Sequence, residues 1–227
     1  MPGGQGAFGK HYLEKDMSMN TNKWFIVLSL VAVSGCITSA PKPYSSFLEP
    51  QKQVGVGIFE KNGAAIGVDF TPSETEGWSK YQSMSNVSLK KKGASNDEGW
   101  EIEAYLITLA TPVVQISAYA DKIVKNIREG YGQGERYKIA SLDTAEYPDK
   151  GLCVKVHLLV EDTKPVRTVD HQGKKWSEQY ILSCGLVKNR RIGVEVRYVN
   201  VFYDSNKDDL LSEKAARIFD SVEITDK

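Results

Sequence analysis

The side chains with the most chemical capacity in this chain are three cysteines, Cys36, Cys153 and Cys184, and three histidines, His11, His157 and His171. His157 stands in an alternating run, and Tyr180, Lys155 and Arg197 fall where neighbouring strands can bring them close. With a carboxylate in hydrogen-bond reach, such a group moves protons; without one it is a polar strand face, wet or covered by a helix. His171 follows Asp170 in the long connection from Asp162 to Lys175, and the spacing supplies no further ligands for a metal. No Gly-x-Ser-x-Gly elbow, His-Glu-x-x-His, Walker glycine loop or Cys-x-x-Cys occurs. The sequence therefore names no catalytic residue, no metal site and no cofactor, and the expectation is a protein that is not an enzyme.

The elements that must position these residues are read from periodicity. Leu152, Val154, Val156, Leu158 and Val160 alternate with Cys153, Lys155, His157 and Glu161, the period-two signature of a strand with one buried face. Trp176 to Val187 and Ile192 to Tyr203 complete an antiparallel meander through Lys188-Asn189-Arg190-Arg191. A pairing whose indices sum to 337 sets Cys153 opposite Cys184, His157 opposite Tyr180 and Glu161 opposite Trp176. Facing thiols in an oxidising compartment form a disulfide; two unpaired buried thiols are the alternative.

Upstream, Val54 to Phe59 and Ala64 to Phe70 flank Asn62-Gly63, a hairpin signal because both residues tolerate positive φ. Tyr81 to Leu89 reads as a third strand and Trp100 to Leu109 as a fourth. Thr111-Pro112 is expected to open a first helix ending at Gly130, with Ile116, Ala120, Ile123, Val124 and Ile127 on one stripe. Asp208 to Phe219 is the second helix, its Asp208-Asp209 pair suited to the helix start, and Ser221 to Thr225 a last strand. The fold class is α+β: a mostly antiparallel sheet of six or seven strands flanked by two helices.

Equal numbers of basic and acidic residues, 29 each, argue against nucleic acid as partner. Three basic loops remain as contact candidates for anionic lipid or an acidic partner: Lys90-Lys91-Lys92; the stretch with Lys164, Arg167, Lys174 and Lys175; and Lys188-Arg190-Arg191. The connection from Asp162 to Lys175 is long enough to be functional or disordered.

Location is written near the N-terminus. Lys23 precedes ten residues, Trp24 to Val33, that are apolar apart from Ser29, and Ser34-Gly35 lead to Cys36. The run covers about half of the hydrocarbon core, too short for a permanent span, and has the layout of a secretory signal. Val33-Ser34-Gly35-Cys36 resembles the lipobox of bacterial lipoproteins. The resemblance implies cleavage before Cys36, acylation of its sulfur, and stable attachment through several chains. Ile37 in place of the Asp that commonly retains enterobacterial lipoproteins favours the outer membrane, facing the periplasm. The expected organisation is a signal peptide at 1–35, with translation starting at Met17 or Met19, a Pro-bearing tether at 36–50, and one globular domain at 51–227.

A second resemblance covers most of that domain. The glycine-bearing hairpin, further strands, helix, meander and terminal helix running into Ile218-Phe219-Asp220-Ser221-Val222-Glu223-Ile224 are similar to the PsbP-like and DcrB-like α/β/α sandwich domains. Members are mainly accessory, binding or assembly proteins, and no functional residue carries over. The leading expectation is a non-catalytic, lipid-anchored envelope module docking on an envelope protein or the cell wall. The alternatives are a small-ligand carrier with a cavity lined by Tyr119, His157 or Tyr180, and an enzyme in which His157, Tyr180 and a carboxylate converge.

Overall fold

A computed structural model describes residues 53–60, 63–74, 76–165 and 173–227. Cys36 with the stretch 33–36 read as a lipobox, Arg167 and His171 lie outside the described residues. The strands are β1 (Val54–Glu60), β2 (Gly63–Phe70), β3 (Ser79–Gln82), β4 (Asn86–Lys92) and β5 (Gly99–Thr108), followed by helix α1 (Ile116–Gly132). Then come β6 (Tyr137–Tyr147), β7 (Cys153–Asp162), β8 (Lys175–Gly185), β9 (Ile192–Tyr203), helix α2 (Leu211–Ser221) and β10 (Glu223–Asp226). Seven strands form one antiparallel sheet in the order β3-β4-β5-β9-β8-β7-β6, and β1-β2-β10 form a second. The α+β class and the mostly antiparallel sheet flanked by two helices are what the periodicity implies.

The large sheet has two apolar faces because its central strands alternate between two cores. Val154, Val156, Leu158 and Val160 of β7 pack with Ile181 beneath α1. Cys153, Leu182, Cys184, Val194, Val196 and Tyr198 face the other way, against α2 and the small sheet. Gly185 permits one close approach: a Cβ there would meet Val113 Cγ2 at 2.5 Å.

That contact explains where α1 begins. Val113, 4% exposed, is held on the sheet, so the chain after Pro112 stays non-helical until Ile116 and no side chain caps the helix. Thr111 is not the cap; its hydroxyl accepts a hydrogen bond from Lys122 at 2.8 Å. The helix also runs two residues past Gly130, to Gly132. Likewise α2 starts three residues after Asp208, whose carboxylate accepts from the Leu210 amide, Trp100 Nε1 and Lys214 Nζ. Asp208 thus ties the helix entry to the sheet.

Two strands depart from the periodicity reading. The run Tyr81 to Leu89 is not one strand but the end of β3 and the start of β4, turned at Ser83–Asn86 by an amide-to-carbonyl bond of 2.8 Å. β6 was not expected at all. It is an edge strand with mostly exposed or half-buried side chains, and its register slips between Ile139 and Ser141, so no clean alternation marks it.

The first two strands of the meander match the expected register at every pair: Cys153 faces Cys184, His157 faces Tyr180 and Glu161 faces Trp176. Cys153 and Cys184 are joined as a disulfide, with a Cα–Cα distance of 4.0 Å.

Candidate functional site

His157 and Tyr180 form the centre of the first polar constellation. Cross-strand pairing stacks their rings at 4.6 Å with 18° between planes. Glu178, two residues from Tyr180 and so on the same face, binds both: His157 Nε2 lies 2.9 Å from Glu178 Oε1, and Tyr180 Oη donates to that oxygen at 3.2 Å. Asp143 of β6, opposite His157, comes within 3.8 Å of Nδ1. Burial pushes the Tyr180 phenol up, and the neighbouring Glu178 carboxylate adds to it. The phenol is therefore a donor at neutral pH.

Glu178 is 5% exposed and its Oε2 has no hydrogen-bond partner, although Lys207 Nζ stands 4.0 Å away. Asn200, paired with Glu178 on β9, likewise has a buried Oδ1 without a partner. The convergence of His157, Tyr180 and a carboxylate that acid–base chemistry needs is present. Alternation alone found His157 and Tyr180; Glu178 was legible only once β8 had a face assigned to it.

Other residues expected nearby are elsewhere. Arg197 pairs with Ile181 and projects from the opposite face, where it binds Glu195 at 2.9 Å. Tyr119 is also on that face, its hydroxyl 2.7 Å from Ser183 Oγ. Tyr119 therefore lines no common cavity with His157 and Tyr180. A shallow pocket of about 170 Å³ sits at the start of α1, lined by Thr111 to Gln115, Ala118, Tyr119 and Lys122. Lys155 shares the His157 face, with its ammonium 3.5 Å from the Tyr147 ring centre.

A second constellation, missed in the sequence, lies on the α1 side of β4, β5, β8 and β9. Glu101 accepts from Ser88 at 2.7 Å and pairs with Lys90 at 2.8 Å. Glu195 accepts from Tyr105, Ser183 and Arg197. Between them Glu103, 6% exposed, has its carboxyl raised to about 7 by burial and by the adjacent Glu101 charge, against the pull of Arg197 and Lys90. The signal was present as Glu101-Glu103-Tyr105 and Glu195-Arg197 alternating with apolar residues, but only the β5–β9 register brings the two runs together.

A folded-state value above the unfolded one means that the native state binds the extra proton. Stability therefore falls as pH rises from about 4.5 to 7 and is level beyond. Glu103→Gln is expected to flatten that slope and to raise stability at pH 8 by on the order of 1–3 kcal/mol. Urea unfolding of both proteins at pH 5 and 8 checks it; parallel pH profiles would show that the Glu103 proton does not set the slope.

The three basic loops differ in how much charge they leave available. Lys90 and Lys91 are paired with Glu101 and Glu74. Lys164 pairs with Glu135 at 2.7 Å and Lys174 with Glu161 at 3.0 Å. Lys175 is no surface cation: it is 2% exposed and lies 3.5 Å from Asp97. Lys188, Arg190 and Arg191, by contrast, are exposed and their side chains enter no ion pair among the described residues. Among the described residues no group of three or more His, Cys, Asp or Glu is arranged for a metal ion, and no helix is long and apolar enough to cross a membrane. Compared with known protein families and curated proteins, the chain matches no family model and no curated sequence.

Proposed function

We propose that this chain is a lipid-anchored bacterial cell-envelope lipoprotein, held at the outer membrane facing the periplasm, whose domain serves as a non-catalytic binding or assembly module. The observation that carries the reading is the apolar run ending in Val33-Ser34-Gly35-Cys36. The Cys153–Cys184 pair supports it, because a structural disulfide persists where thiols are not kept reduced. The second reading, an enzyme using His157 and Tyr180, is favoured by the convergence of both side chains on Glu178 Oε1.

The test is metabolic labelling with palmitate and fractionation of the wild type beside Cys36→Ala. The wild type is expected to carry label and sediment with membranes, and the variant to lose the label and to accumulate uncleaved. An unlabelled wild type, or equal labelling of both, removes the anchor from the reading.

A further inference from the structure

Seven large apolar side chains are strongly exposed among the described residues, and three of them gather at one end of the molecule: Ile58 (49%), Phe59 (74%) and Val187 (62%). Ile58 and Phe59 close the β1–β2 hairpin, and a register shift between them turns both outward. Val187 opens the β8–β9 turn, followed by Lys188, Arg190 and Arg191.

β10 fastens the two tips together. Asp226 pairs with Ile66, which pairs with Ile58, so the hairpin end lies two strand spacings, about 10 Å, from Asp226. The Asp226 carboxylate in turn accepts from the Lys188 amide at 2.6 Å and from the Asn189 side-chain amide at 2.8 Å. Lys227 Nζ reaches the Gly63 turn of the same hairpin. This edge therefore combines three exposed apolar side chains with Lys188, Arg190, Arg191 and Lys227.

Among the described residues its acidic content is low: Asp226 is held by the turn, and Asp69 and Glu223 lie opposite each other at the far end of the small sheet. Cationic side chains around protruding apolar ones are the pattern of a surface that rests in lipid headgroups: the apolar groups enter the interface and the cations meet phosphates. An acidic protein groove would need the charge but gives no reason for Phe59 to stand in water.

We propose that Ile58 and Phe59 at the end of β1, with the Val187–Arg191 turn, form a membrane-contact edge that binds anionic phospholipid headgroups. The edge adds to, and is separable from, the anchor proposed at Cys36. Extended, the stretch from Cys36 to Lys52 reaches about 55–60 Å, ample for the domain to lay this edge on the bilayer.

The experiment is co-flotation of the processed chain, residues 36–227 carrying Cys36→Ala, so that neither an acyl chain nor the apolar run Trp24 to Val33 contributes, with vesicles of phosphatidylcholine alone or with 30 mol% phosphatidylglycerol. Binding is expected only to the anionic vesicles and is expected to weaken with salt. Replacing Lys188, Arg190 and Arg191 together by Gln is expected to weaken it about tenfold to a hundredfold. Phe59→Ser is expected to weaken it while leaving the salt dependence in place. Lys92, Arg128 and Lys138 together replaced by Gln serve as a charge-matched control, and thermal unfolding verifies that each variant is folded. Equal binding by the triple variant and its parent overturns the proposal, as does equal binding to neutral vesicles. No vesicle binding at all overturns it in favour of an acidic protein partner. Failure of palmitate labelling with vesicle binding intact removes the anchor and leaves this edge standing.

Discussion

Replacing Cys153 and Cys184 together by alanine is expected to lower the unfolding free energy by about 3–4 kcal/mol, the chain-entropy value for a closed loop of this length. The sequence separation is 31 residues, and both sulfurs lie in the core facing α2 and the small sheet, at 0% and 1% exposure. Freed of the cross-link, the unfolded chain recovers the freedom to separate β7 from β8, and two alanines leave a small void beside Leu182 and Val194. For a domain of this size the melting temperature falls by about 6–16 °C. Urea denaturation of the oxidised wild type and the double variant measures the difference directly. A change below about 1 kcal/mol would show that the β7–β8 hairpin holds its register without the bond.

A loss of about 3–5 kcal/mol is expected from Asp97→Ala. Lys175 is 2% exposed with Asp97 Oδ2 at 3.5 Å, and Tyr203 Oη donates to the same oxygen at 2.8 Å. Removing the carboxylate leaves an ammonium buried against the Tyr203 ring without its counter-charge. Asp97→Ala combined with Lys175→Met is expected to recover much of the loss, which separates the cost of an orphaned charge from the worth of the pair. Thermal and urea unfolding of the three variants read both effects; a double variant no better than Asp97→Ala sinks the interpretation.

The pH dependence has the opposite sign to that of Glu103. Burial pushes the Asp97 carboxyl up, but hydrogen bonds from Ser95 and Tyr203 and the Lys175 charge outweigh it and hold the group at about 2. The stabilisation is thus complete above the unfolded carboxylate range near 4 and is lost as pH falls through 4 toward 2.

How legible this was depends on whether a side chain's role is set locally or by register. Most of β7 is buried on alternate residues, so its period marked the strand, and the antiparallel pairing of β7 with β8 set Cys153 opposite Cys184 and His157 beside Tyr180. β6 was invisible because an edge strand packs little and its bulge breaks the period. The start of α1 was misplaced because Thr111-Pro112 obeys local capping preference, whereas Val113 answers to a tertiary contact over Gly185. Arg197 was set beside His157 by proximity of strands alone; the two-sided sheet sends it to the opposite face. Lys175 looked like loop charge because nothing in its neighbours announces Asp97, 78 residues earlier.

The pairing of β5 with β9 also determines how the molecule comes together in time. These central strands, Gly99–Thr108 and Ile192–Tyr203, are separated by more than about 80 residues, and no contact within either half can substitute for them. A chain delivered N-terminus first leaves the outer flank of β5 bare until almost the last of the polypeptide has arrived. Folding is consequently slow and late, and the waiting β4–β5 ribbon is the segment that most needs shielding from stray strand addition.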